Sequence, residues 1–194
     1  MHLRRGHLIE QELERFKQLK NKISAIITTN YDLFLETFIF PDDYTVFTNQ
    51  TQLFNSDSYN IAEIYKIHGS ATDANSIIIT EQDYRTFNDS RKLIIAKMLT
   101  LFAESPIVFL GYSFTDENIQ GIISDFLGCL SPIQLQSIHN HFIFISYKKG
   151  ELNLQQIQRT ITTRQGNEIP ITEIQTDNYL KVYESLNKIT PGIS

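Results

Sequence analysis

Cysteine occurs once in the 194-residue sequence, at Cys129. That excludes an internal disulfide framework and any structural zinc site built from several thiolates. The same usage fits a reducing cytoplasm. Glycine and proline are also scarce, at 8 and 5 residues, too few for a linker-rich or disordered chain. Positive charge is not in excess: 17 Lys and Arg face 22 Asp and Glu, giving a net charge of -5 and a pI near 5.5. There is no general basic field for a polyanion, so nucleic acid is not indicated, although Arg4, Arg5 and His7 could touch phosphate locally. No window approaches the ~20 apolar residues of a membrane span, and the charged start carries no apolar signal region, so no membrane partner is expected. GxGxxG and Walker-type loops are missing as well. What remains is ordinary globular composition, 41% hydrophobic and 20% charged, in a length that suits one domain with a sizeable core.

Along the chain, apolar runs alternate with helical patterns. Ile9, Leu13, Phe16 and Leu19 fall at helical spacing and predict an amphipathic leading helix. Ile23 to Thr28 is short, β-branched and nearly continuous, the pattern of a strand buried in a parallel sheet. Leu33 to Phe40 starts a helix that Pro41 breaks, and Tyr44 to Phe47 reads as a short strand. Ile61 to His68 and Ile77 to Thr80 read as two more strands, and Glu81 to Phe87 as a helical turn. Leu93 to Phe102 predicts a deeply packed helix, ended by Pro106 before a strand at Ile107 to Leu110. A helix from Thr115 presents Ile119, Ile122, Ile123, Phe126 and Leu127 on one face, with Asp116 and Glu117 at its positive end and Gly128 at its close. A strand at Phe142 to Ser146, a helix after Gly150, and a strand and helix between Ile169 and Leu186 complete the alternation. The expected fold is α/β, a Rossmann-like layered arrangement with a largely parallel sheet flanked by helices. We expect a single domain over 1–194, with a leading helix at 1–21, a core at 22–147 and a C-terminal extension at 148–194.

In open parallel sheets ligands bind beyond the carboxyl ends of the strands, and three such ends carry polar residues. Thr28-Thr29-Asn30-Tyr31-Asp32 offers an amide and a carboxylate for sugar hydroxyls or a water, although either side chain could simply cap the next helix. In Lys66-Ile67-His68-Gly69-Ser70, His68 can act as a base near neutral pH and Gly69 permits close backbone approach. A hydrogen-bonded structural histidine is the competing reading. Gly111-Tyr112-Ser113 leads into a helix N-terminus at Asp116, which suits an anion or serves only as a βα connection. His139 and His141 form an i, i+2 pair without a third metal ligand at a plausible spacing. A parallel sheet would bring the three ends to one edge.

Taken in order, T-T-N-Y-D with L-F-L-E, K-I-H-G-S and F-L-G-Y-S-F-x-D-x-N-I resemble the sirtuin-like family, specifically its bacterial antiphage-defence NADases, over about residues 22 to 147. The resemblance implies NAD as the substrate, with Asn30 holding the nicotinamide ribose or the attacking water and His68 acting as the base. Thr29, Asp32 and Gly69 would support the same pocket. Gly111 and Ser113 would contact the adenosine side, with Asp116 bracing the turn. The activity implied is NAD hydrolysis to nicotinamide and ADP-ribose in abortive antiphage defence, with a sensor domain or partner protein and a homo-oligomer as companions. Two other readings stay open: a non-catalytic nucleotide-binding or assembly module of the same fold, and an NAD-dependent protein deacylase.

Two departures from the family pattern shape these expectations. Only Ser70 to Ser76 separates Gly69 from the next apolar run, where deacylating sirtuins carry a four-cysteine zinc ribbon, so no zinc is expected. Gly6 is the only glycine before Gly69, so the pyrophosphate-cradling Gly-Ala-Gly loop has no counterpart. The expectation is a piece of a longer protein rather than a degenerate domain, with turnover belonging to the full-length form.

Overall fold

The computed structural model describes residues 2–41, 43–54, 62–78, 80, 91–112, 116–163 and 166–189. The chain divides into two compact units, Met1–Ile94 with Tyr179–Ser194, and Ile95–Asn178.

In the first unit the amphipathic start forms α1 (His2–Lys17), extended by a 3-10 turn at Gln18–Asn21. Its Leu13 and Phe16 pack on a buried cluster of Ile39, Phe40, Tyr44 and Ile64. The Phe16 ring meets Phe40 edge-on at 5.4 Å and Tyr183 at 5.1 Å. Leu19 is also fully buried. Full burial of one such side chain is worth about 1.5–3 kcal/mol, so Leu13, Phe16 and Leu19 of the expected stripe dock this segment, whereas Ile9 is exposed.

The apolar runs become β1 (Ala25–Thr28), β2 (Thr45–Phe47) and β3 (Glu63–Lys66), a parallel sheet in the order β1-β3-β2. Thr28 stands opposite Lys66 and Thr45 opposite Glu63. Between β1 and β2, Leu35–Ile39 winds as a π-helix closed by the Phe40 N-H on the Leu35 carbonyl at 2.8 Å. A short helix, α2 (Gln50–Phe54), follows β2.

The second unit takes up most of α3 (Lys92–Glu104), then β4 (Ile107–Leu110), α4 (Glu117–Gly128), α5 (Pro132–Ser137) and β5 (Phe142–Tyr147). It closes with β6 (Gln155–Thr162) and β7 (Glu168–Thr176), in a sheet ordered β4-β5-β7-β6. β4, β5 and β7 run parallel, and β6 is antiparallel to β7. Ile119, Ile122, Ile123 and Phe126 of α4 are buried, as their spacing predicts. Phe102, Phe126 and Phe142 pack edge-to-face in this core, with centroids 5.9–6.2 Å apart. The chain then returns to the first unit as α6 (Tyr179–Lys188). The architecture is therefore mixed α/β, with parallel-dominated sheets flanked by helices.

Among the described residues the strands form two sheets, with β4 in a different one from β1 and β3, so the expected single sheet edge carrying all three strand ends is not formed. Two elements also differ from expectation. The segment after Gly150 is not a helix but leads into β6. Ile157 and Ile161 imitate helical spacing, yet Thr160, Ile161 and Thr162 are β-branched, and the hairpin with β7 supplies a full antiparallel ladder from Gln155 to Thr162. Ile77 and Ile78 do not form a strand, because their backbone is engaged in folding the loop back: the Ile78 N-H donates to the His68 carbonyl at 2.9 Å. The helical turn expected at Glu81 to Phe87 lies outside the described residues. Among the described residues no helix is long and apolar enough to cross a membrane.

Candidate functional site

The first two strand ends meet in the first unit because β1 and β3 are adjacent and parallel. Their ladder ends with Thr28 opposite Lys66 and the Ile67 N-H on the Thr28 carbonyl at 3.1 Å. Beyond it the chain leaves β1 through Thr29 to Asp32 and leaves β3 through His68 and Gly69. Asn30 is exposed, with its N-H on the Thr28 hydroxyl at 3.1 Å. Asp32 is exposed too, and its carboxylate accepts the Phe34 N-H at 2.9 Å, the turn-capping role its residue type favours. Thr29, just before Asn30, is half-buried. His68 is only 5% exposed.

The loop after His68 is held by its own backbone. Gly69 has φ +96, and a Cβ there would lie 2.2 Å from the Ser76 carbonyl oxygen, so the close approach that this glycine permits is made by the segment Ser76–Ile77. The Ser70 N-H donates to the Ser76 hydroxyl at 3.0 Å, and that hydroxyl donates to the Asp73 carbonyl at 2.6 Å. Buried Arg91 reaches the Ser76 carbonyl at 2.7 Å and the Thr48 carbonyl at 3.3 Å. Burial lowers its pKa from the ordinary arginine value.

A cavity of about 500 Å³ opens beside these loops. Polar side chains of Glu36, Thr48, Gln52, Ser70, Thr72 and Asp73 line it, with Leu33 and Val46 as its apolar wall. Its lining combines the turn after β1, the end of β2 and the loop after His68. Among the described residues, six of its eight lining residues are polar, and Thr29, Asn30, Asp32, His68 and Gly69 are not among them.

Lys66 escapes a reading that looks only for histidines and strand-end amides. Its side chain is 0% exposed and faces Glu36, 16% exposed, at 2.6 Å. The ammonium also donates to the carbonyls of Tyr31, at 3.3 Å, and Asp32. The available signal was a lysine inside a strand otherwise patterned for burial, since lysine is almost never fully buried unless paired.

Gly111 and Asp116 belong to the second unit, at the carboxyl end of β4. Gly111 is exposed, has φ +62 and has open space where a Cβ would stand. Asp116 is the N-cap of α4 and accepts the N-H groups of Asn118 and Ile119, each at 3.0 Å. The anion at this helix start is thus the chain's own carboxylate. Burial, and then the Asp116 charge, push the Tyr112 phenol up. Ser113 lies outside the described residues. The structure brings Thr29, Asn30 and Asp32 beside the His68–Gly69 end, and holds Gly111 and Asp116 together at the other turn.

Among the described residues no group of three His, Cys, Asp or Glu converges as a metal site would require. His141, from the expected i, i+2 pair, contacts the Phe102 carbonyl and stacks on Phe126 at 5.5 Å.

Residues 24–168 match the family described as the SIR2-like domain. The chain is 26% identical over 181 residues to an NAD(+) hydrolase ThsA of Enterococcus faecium, covering 86% of this chain and 37% of that protein. It is 26% identical over 177 residues to the NAD(+) hydrolase ThsA of Bacillus cereus (strain MSX-D12), covering 86% and 36%. Defense-associated sirtuin 2 of Bacillus subtilis is 28% identical over 122 residues, 60% of this chain and 12% of that protein. The chain spans well under half the length of these curated relatives.

Proposed function

The chain belongs to the SIR2-like domain family, and from that membership we propose that it binds NAD and, within a longer protein, hydrolyses it in antiphage defence. The observation that carries this reading is the adjacency of the Asn30 turn and the His68 end on parallel strands β1 and β3. Hydrolysis breaks the bond between nicotinamide nitrogen and ribose C1′. The bonding pair stays with the departing nitrogen, neutralising its pyridinium charge, and water supplies the hydroxyl at C1′ and releases a proton. The products are nicotinamide and ADP-ribose. Positive charge develops on the sugar as the bond lengthens, so a positioned water and an electrostatically matched pocket do most of the work.

In this reading Asn30 holds the ribose or the attacking water and His68 takes the proton. Thr29, Asp32 and Gly69 shape that end of the site; a contact of Gly111 and Ser113 with the adenosine side, with Asp116 bracing their turn, is carried by the family resemblance alone. The two relatives named as NAD(+) hydrolases and the one named as a defense-associated sirtuin support the substrate and the setting. A cytoplasmic location, a sensor region or partner protein, and self-association of the full-length protein belong to the same proposal. So does the action of residues 1–194 as one functional domain built from the two units.

A second reading, a nucleotide-binding or assembly module without turnover, draws on the burial of His68. Full-length protein incubated with NAD, with and without phage challenge of the producing cells, separates the two. Nicotinamide release that is lost in both Asn30→Ala and His68→Ala supports hydrolysis, since a general base alone contributes roughly 100- to 10,000-fold. Absence of release from the wild type under every condition, with NAD binding retained, establishes the binding module instead.

A further inference from the structure

We propose that Lys66 is a positioning residue that sets the Asn30–Asp32 turn against His68. This deepens the reading of the site given above and rests on it.

Burying the Lys66 charge is costly. A lysine ammonium taken wholly out of water is tolerated only when its charge and its three N-H donors are all matched. At Lys66 they are: the Glu36 carboxylate at 2.6 Å, the Tyr31 carbonyl at 3.3 Å and the Asp32 carbonyl. A buried apolar residue would fill β3 at lower desolvation cost, as Ile64 does on the same strand. What an apolar residue cannot supply is donors for two successive backbone carbonyls.

Those carbonyls belong to the turn that carries Asn30. Lys66 lies two residues before His68, so its side chain ties the turn to that strand end beyond the backbone ladder, which closes with the Ile67 N-H on the Thr28 carbonyl. The other bonds of the turn are Asn30 N-H to Thr28, Phe34 N-H to Asp32, the Tyr31 carbonyl accepting the Ala71 N-H at 2.8 Å, and the Tyr31 hydroxyl donating to the Ile78 carbonyl at 2.5 Å. Without the ammonium, the orientation of the Asn30 amide is left to this set. Glu36 supplies the countercharge and also lines the cavity, so the tie and the cavity wall are one construction.

The test compares wild type with Lys66→Met, Glu36→Gln and the double variant Lys66→Met/Glu36→Gln in the full-length protein. The double variant removes both charges while keeping their volume, so it remains folded where the single Lys66→Met leaves a buried carboxylate alone. Two readouts are taken: kcat and KM for nicotinamide release, and hydrogen exchange at the amides of Asn30, Phe34 and Ala71.

In the double variant we expect kcat to fall at least tenfold with KM within threefold, and exchange at those amides to rise at least tenfold while the Ile64 and Tyr65 amides of β3 stay protected. Glu36→Gln, which keeps both carbonyl bonds, should leave exchange at the three amides near the wild-type rate. Unchanged kcat in the double variant, or equal loosening of the turn by Glu36→Gln, overturns the proposal and reduces Lys66 to half of an ion pair. If the wild type releases no nicotinamide, the hydrolase reading falls, and the exchange comparison alone decides the role of Lys66.

Discussion

The Tyr31 hydroxyl donates a 2.5 Å hydrogen bond to the carbonyl of Ile78. The backbone of Tyr31 accepts from Ala71, and the backbone of Ile78 donates to His68. One aromatic side chain thereby fastens the turn after β1 to the far end of the loop that follows His68. Tyr31→Phe keeps the ring and leaves a part-buried carbonyl without this donor. The expected loss is about 1 kcal/mol, a fall in melting temperature of roughly 2–4 °C for a chain of this size. A melting temperature equal to wild type would mean that the loop closes without this bond.

Gly69 and Gly150 both have positive φ, +96 and +82, but only Gly69 has backbone where a Cβ would go. Gly150→Ala should therefore cost the conformational penalty alone, about 1–3 kcal/mol. Gly69→Ala should cost that and a displaced Ser76 backbone besides, about 2–6 kcal/mol in all when overpacking is included. Urea denaturation of the two variants side by side checks the difference. Equal destabilisation would show that the Ser76 segment yields freely.

Much of this arrangement was legible in the sequence. Short apolar runs mark β1, β3 and β4 to within a few residues and a 3.6-residue stripe marks the α4 face, although of the three strands only β3 is buried throughout, β1 and β4 being half-buried. The pairing of the Asn30 turn with the His68 end followed from expecting those strands to be parallel. Lys66 and Tyr31 were not foreseeable as partners, since their roles depend on which carbonyls the folded turn presents. The strand β6 was misread because its stability lies in pairing with β7 rather than in burial: nearly all of its residues are exposed.

Asp116 accepts two backbone N-H groups at the start of α4, so its first effect on replacement is structural. Asp116→Ala should destabilise by about 1 kcal/mol, while Asp116→Asn, which retains a capping oxygen, should lose a few tenths. Thermal melts of both variants measure this. If NAD affinity falls in Asp116→Asn without a change in melting temperature, the carboxylate has a role in the ligand site beyond the cap.

Glu173 provides the clearest pH dependence. Burial in β7 would raise its carboxyl pKa, but hydrogen bonds from Ser146, Arg159 and Gln175 and the charge of Arg159 outweigh that and hold it below the ordinary carboxylate value. The Ser146 hydroxyl lies at 2.7 Å and Arg159 at 3.0 Å. A carboxyl whose pKa is lower folded than unfolded stabilises the fold fully above the unfolded value, about 4.3, and loses that contribution as pH falls through the lower folded value. Glu173→Gln should therefore lower stability by about 1–2 kcal/mol at pH 7, with half-exposed Arg159 contributing little of it. The gap from wild type should narrow as pH drops below about 4, because the wild-type carboxyl then becomes neutral as well. Denaturant titrations at pH 7 and pH 3 measure both. A gap that stays constant between them would mean that Glu173 acts through packing against its neighbours and not through its charge.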